Sequence, residues 1–193
     1  MNLIQNLKSS KDLLEYMKKN INYGFIGRNG KKYYDMFSEE WNDWYSQCIV
    51  QSGEEVLESK IGTCWDQVEL ERLWFEEKGY NIYTFFMWFE VNRENDFPSH
   101  SFLIYEQDNK FYWFENAFES ERGIHKFNSL EEAIENVKYK QIKYTKMNYP
   151  DISDDDINNL VVYEYSKPIN HLGVAEYLDY VTSNKYINSK TYK

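Results

Sequence analysis

Apolar side chains early in the chain recur at helical steps. Leu13, Leu14, Met17 and Ile21 are spaced three and four residues apart and share one helical face, and Ser9 or Ser10 supplies the oxygen that caps a helix start. Gly24 to Gly30, with Asn29-Gly30, then reads as a turn. Ser38-Glu39-Glu40 places acceptors and negative charge at the opening of a second helix, ahead of Trp41, Trp44 and Tyr45. A further helix begins where Gly62-Thr63 runs into Cys64. Its face is Trp65, Val68, Arg72 and Phe75, and Gly79 is its stop.

Beyond Gly79 the pattern turns to strands. Asn81 to Val91 is bulky, aromatic and shorter than a typical helix. After the turn-rich stretch Asn92 to Ser99, the apolar strands His100–Glu106 and Lys110–Ala117 form a hairpin across Gln107-Asp108-Asn109. Ser129-Leu130-Glu131-Glu132 opens a helix through about Val137. A strand Leu160–Tyr165 and a helix Val174–Val181 follow. Helices, then a run of strands, then mixed elements predict an α+β fold with an antiparallel sheet, not a doubly wound parallel one.

A length of 193 residues fits a single domain, 1–193, with a helical N-terminal part over about 1–60 and a catalytic-type core over about 61–145. Hydrophobic residues at 42% and aromatics at 19% provide a substantial core and argue against disorder. The formal charge of −10 and a pI near 4.9, with no basic stripe, disfavour nucleic acid as a partner. Such a surface would instead attract a basic peptide or protein. The first eight residues contain no apolar stretch of signal-peptide length, and the run Tyr83–Phe89 is too short to span a bilayer. The expectation is a cytoplasmic protein without membrane contact, and the Asn, Lys, Ile and Tyr bias suggests an AT-rich bacterial genome. Two cysteines, Cys48 and Cys64, are too few for a disulfide framework and are expected to be reduced.

Cys64 carries the candidate chemistry. Free N–H groups and the positive end of the dipole at a helix start lower a thiol's pKa, and the same N–H groups can hold an oxyanion. His100, opening a strand after Pro98-Ser99, is a candidate general base. Across the hairpin, Glu115 and Asn116 both arrive near its level, and either could orient the imidazole.

Gly62-x-Cys64-Trp65, His100 at the start of a strand, Glu106 before a polar turn, Trp113 in an aromatic strand and Glu115 together resemble the transglutaminase-like branch of the papain-like cysteine enzymes. The resemblance covers Gly62 to about Phe118. That family commonly has its orienting acid at this distance from the histidine, usually as Asp where this chain has Glu115; the papain branch uses Asn, which keeps Asn116 in play. The resemblance implies a papain-like, transglutaminase-like core whose nucleophile helix packs on the antiparallel sheet that carries the histidine and the acid. It implies acyl transfer through a thioacyl intermediate, resolved by water in a thiol protease or amidase, or by an amine in a transglutaminase-like acyltransferase. A protein or peptide is the implied substrate, and no cofactor or metal is implied.

Two other functions fit the same residues. One is a non-catalytic protein-binding module that keeps the fold and uses its acidic, aromatic surface. The other is acetyltransferase-like transfer from a thioester donor, as in the arylamine acetyltransferases, although no coenzyme A signature is present.

The remaining polar clusters read as structure. Cys48 lies among Trp44, Tyr45, Ile49 and Val50 as a packed or half-exposed helix residue, and His125 and His171 lack ligand-spaced partners. Asp151-Ile152-Ser153-Asp154-Asp155-Asp156 has Asp where a calcium loop needs Gly and Val162 where it needs Glu, so it reads as a solvated turn with a helix cap. Gly27-Arg28-Asn29-Gly30 is a turn and no phosphate cradle. Trp65 is expected to pack the Cys64 helix on the sheet, and Asp66 to stabilise its first turn without a mechanistic role.

Overall fold

The computed structural model describes residues 3–34, 38–90, 98–169, 171–183 and 185–187. Its aromatic and β-branched runs form six strands: β1 (Asn81–Phe89), β2 (His100–Gln107), β3 (Lys110–Glu115), β4 (Gly123–Phe127), β5 (Leu160–Glu164) and β6 (Lys185–Ile187). They make one sheet in the order β6-β5-β1-β2-β3-β4, and every neighbouring pair is antiparallel. The fold is therefore mixed α+β with an antiparallel sheet. The expected end of the first strand at Val91, and most of the turn-rich stretch after it, lie outside the described residues.

Alternation along the strands divides the core in two. Phe86, Leu103, Tyr105, Phe114 and Tyr163 face the helix Cys64–Glu77, where Trp65, Val68, Trp74 and Phe75 meet them. Phe85, Met87, Phe102, Ile104 and Trp113 point to the other side, against Ala133, Ile134 and Val137 of the helix Leu130–Asn148. Trp65 packs on Phe86 and stacks on Tyr177 of the helix Val174–Thr182, with ring centroids 4.3 Å apart in the stack.

The Cys64 helix is covered on more than its sheet face. Only Leu73 among residues 64–75 is not buried, so Asp66, Glu69, Glu71 and Arg72 are enclosed along with the apolar positions. The cover on its far side is a helix, Gly53–Ser59, that apolar periodicity does not reveal; Ser52 caps it through a reciprocal bond pair with Glu55. The two helices touch at Gly53, where a Cβ would come 2.6 Å from the Glu69 carbonyl oxygen. Glycine permits that approach.

The N-terminal part contains more than helices. The expected helix runs Ser10–Asn20 with Ser9 as its cap and Leu13 and Met17 buried. The stretch read as a turn from Gly24 instead includes a strand, Phe25–Ile26, paired antiparallel with Lys32–Tyr33; the chain reverses only between them. Just before it, Asn22–Tyr23 pairs parallel with Ile61–Gly62, setting Tyr23 opposite Gly62. The helix expected from Ser38 is a 3-10 turn, Glu39–Asp43, followed by one α turn, Trp44–Gln47. Cys48 ends that turn as its C-cap and bridges to Gly27; it is packed, one of the two expected states, but lies just outside the helix.

Three later boundaries differ from the pattern. The helix from Leu130 continues to Asn148, well past Val137, because Gln141 and Thr145 are buried on the same side as Val137. Asp154–Asn158 is a short helix capped by Ser153, in line with the solvated turn and cap expected there. β4 and β6 are not evident in the pattern, since Gly123-Ile124-His125-Lys126 and Lys185-Tyr186-Ile187 offer too few apolar alternations to stand out.

Candidate active site

Cys64 is the first residue of its helix and follows Thr63, whose extended backbone (φ −69°, ψ 178°) makes it the N-cap. Asp66 locks that start. Its carboxylate accepts from the Thr63 backbone N–H at 2.8 Å, the Thr63 hydroxyl at 2.9 Å and, through its other oxygen, the Gln51 backbone N–H at 2.8 Å. Asp66 is fully buried, and burial outweighs these three bonds to push its pKa up to about 6. Its role is to fix the loop before the thiol. Gly62 is required at the same place, because a Cβ there would lie 2.8 Å from the Asp66 Cβ.

His100 opens β2 and Glu115 ends β3. His100 Nε2 lies 2.8 Å from Glu115 Oε2, and both side chains are almost completely buried. The same carboxylate accepts from Trp113 Nε1 at 3.2 Å and from the Phe118 backbone N–H at 2.7 Å, so Glu115 is held by three donors. With Nε2 committed to Glu115, Nδ1 is the ring nitrogen left for the Cys64 thiol, which is close enough to influence the imidazole. Burial opposes charge on the ring, but the Glu115 carboxylate and the Cys64 thiol overcome it and raise the His100 pKa to about 10. The imidazole is thus cationic at neutral pH.

Asn116 does not meet the imidazole. Its amide donates to Gln67 Oε1 at 2.6 Å, and Gln67 in turn donates to the Gly62 carbonyl at 2.8 Å. The reason is strand alternation. The turn between β2 and β3 has two residues, Asp108 and Asn109, both at positive φ (52° and 56°), and Gln107 pairs with Lys110. Continuing that register sets Glu115 across from Phe102, on the face that also bears His100, and sends Asn116 to the opposite face, toward the Cys64 helix.

Three groups at the site escape sequence reasoning. Tyr23, from the short strand beside Gly62, is a neighbour of the Cys64 thiol, and burial together with that thiol holds its pKa well above that of a free phenol. Gln67 lies one helical turn after Cys64, a spacing that could have marked it. Glu71, two turns after Cys64, is buried with Oε2 unpartnered; burial and the nearby Glu115 carboxylate hold its pKa well above the usual range. Phe118 packs edge-on to the His100 ring at 5.6 Å and to the Tyr144 ring at 5.1 Å, making a half-buried aromatic rim.

The other histidines have different partners. His125 bonds the Glu121 carbonyl at 2.7 Å and stacks on Trp113, and His171 pairs with Glu55 at 2.6 Å on the surface. Among the described residues, no cluster of three or more His, Cys, Asp or Glu side chains is arranged to hold a metal ion, and no helix is long and apolar enough to cross a membrane. Comparison of the chain with protein-family models, with curated proteins and with solved structures finds no match.

Proposed function

We propose that this protein is a cysteine acyl-transfer enzyme of transglutaminase-like type with Cys64 as nucleophile, His100 as acid and base, and Glu115 as the group that orients His100. The observation that carries the reading is His100 Nε2 held 2.8 Å from Glu115 Oε2, beside a Cys64 sulfur that stands at a helix start and is near enough to the ring to help raise its pKa. A buried carboxylate with three donors makes a rigid anchor for an imidazole, and a cation beside a sulfur is the setting in which cysteine serves as a nucleophile. A nucleophile helix packed on the sheet that bears the histidine and the acid is what a papain-like core requires, and it supports that reading.

The chemistry follows from that layout. With the proton on His100, the Cys64 sulfur forms a bond to an amide or thioester carbonyl carbon, and the carbonyl electron pair moves to oxygen. The free N–H groups of the helix's first turn face that developing charge. As the oxygen pair returns, the bond to the leaving group breaks and His100 gives that group its proton, leaving a thioester on Cys64. Water or an amine then gives a proton to His100 and attacks the thioester carbonyl, and the sulfur leaves. A protein or peptide is the proposed acyl donor, a basic one suiting the net charge of −10.

The test is a paired screen of quenched peptide substrates, for hydrolysis, and dansylated amine acceptors, for transfer, on wild type and Cys64→Ala. Turnover or incorporation that vanishes in the variant is expected. Activity that survives the loss of Cys64, or a wild-type Cys64 that iodoacetamide labels no faster than Cys48 at neutral pH, would refute the assignment.

A further inference from the structure

We propose that Tyr23 supplies the second oxyanion donor, its phenol hydroxyl joining the first-turn N–H groups of the Cys64 helix on the carbonyl oxygen of the bound acyl group. The inference rests on the acyl-transfer reading and adds a residue far from the motif that suggested it. Tyr23 stands opposite Gly62 in a parallel strand pair, so the backbone fixes it two residues from the nucleophile. The Cys64 sulfur is close enough to this phenol to help raise its pKa.

When the sulfur attacks, the negative oxygen forms two bonds away from it, on the carbon just joined to sulfur. A donor held beside the sulfur by the Tyr23–Gly62 pairing is placed near that oxygen. Stabilising charge that appears only in the transition state is what accelerates the chemical step. The hydroxyl is also suited to donate and not to ionise: burial and the neighbouring Cys64 push its pKa well above that of a free phenol, so it keeps its proton throughout the working range. No covalent change occurs at Tyr23. It gives a hydrogen bond to the oxyanion and releases it as the tetrahedral intermediate collapses.

The role separates from thiol activation by choice of electrophile. Iodoacetamide is attacked at a saturated carbon and makes no oxyanion, whereas p-nitrophenyl acetate is attacked at a carbonyl and does. Wild type and Tyr23→Phe are compared for both reactions at Cys64 by mass spectrometry and stopped-flow absorbance, with thermal melting to verify that the variant is folded. The expected result is an acylation rate about 100-fold to 1000-fold lower in Tyr23→Phe with alkylation within about twofold of wild type. Equal acylation in the two proteins would overturn the proposal while leaving the acyl-transfer reading intact. A parallel fall in acylation and alkylation would also overturn it, assigning Tyr23 to positioning of the sulfur. A wild-type protein that is not acylated at Cys64 at all would overturn the underlying reading, and the proposal with it.

Discussion

The protein contains two buried thiols in contrasting surroundings. Cys48 closes a single helical turn at its C-terminal side, and Cys64 begins a long helix. Their exposures are nearly alike, at 1% and 5%. Around Cys48 the dominant influence is burial, reinforced by the negative Asp66, and its pKa is driven far up; Arg28 offsets little of this. Around Cys64 stand an imidazole anchored by Glu115 and a tyrosine hydroxyl. Burial alone therefore does not distinguish an inert cysteine from a candidate nucleophile. The neighbouring groups do.

The most severe way to test this contrast is to delete each thiol. Cys64→Ala is expected to lower acyl transfer by at least about a thousandfold. Cys48→Ala should leave the alkylation rate of Cys64 unchanged and cost about 1 kcal/mol of stability, as a small core truncation does. Rates from stopped-flow acylation and stability from urea denaturation check the pair. Loss of activity in both variants would mean that the two regions are not functionally distinct.

Next in size is the difference between Glu115 and its neighbour. Glu115→Ala strips the acceptor from His100 Nε2, Trp113 Nε1 and the Phe118 N–H, which should cost roughly 3 kcal/mol or more and about 100-fold to 10,000-fold in acyl transfer. Asn116→Ala removes only the donor to Gln67 and should cost about 1 kcal/mol with Cys64 alkylation unchanged. If Asn116→Ala were the more damaging to the alkylation rate, the assignment of the orienting residue would have to be reversed.

A smaller effect should appear in the pH dependence of stability. His100 is raised from 6.5 to about 10, so its ion pair stabilises the fold fully below pH 6.5 and is lost as pH rises toward 10. Cys48, raised above its ordinary 9.0, begins to oppose alkaline folding only above pH 9, because the unfolded thiol ionises there and the folded one does not. The raised carboxyls Glu69 and Glu71 also lose stability as pH rises through their folded values, so the His100 share must be read as a difference between proteins. Denaturation midpoints between pH 6.5 and 9 should fall more steeply in wild type than in His100→Gln. Parallel curves would show that His100 carries no extra proton in the folded state.

How far the sequence revealed this site depends on which interaction placed each residue. Cys64 at a helix start and His100 at a strand start follow from local signals, namely a Gly-Thr lead-in and an apolar alternation, and the structure places both as expected. Tyr23 was invisible because a long-range parallel pairing with Gly62 sets its position, and nothing near Tyr23 announces that partner. Glu71 was hidden by helical periodicity itself: a charged residue on a helix reads as solvent-facing until a second helix, Gly53–Ser59, is known to cover the other side. The choice between Glu115 and Asn116 hung on a single residue of turn length.

Reading Gln107-Asp108-Asn109 as a three-residue turn would pair Glu106 with Lys110 and set His100 across from Asn116. The two-residue turn pairs Gln107 with Lys110 and brings Glu115 to the imidazole's face instead. Asp108 and Asn109 specify the shorter turn because both adopt positive φ, which Asp and Asn tolerate better than most residues but glycine adopts at least strain. Asn109→Gly is therefore expected to stabilise the protein by about 0.5 kcal/mol, visible as a small rise in denaturation midpoint, with acyl transfer unchanged. A gain in stability accompanied by loss of Cys64 reactivity would mean that the turn does not hold Glu115 in the register the site requires. An unchanged midpoint would show that pairing along β2 and β3, rather than the turn, fixes that register.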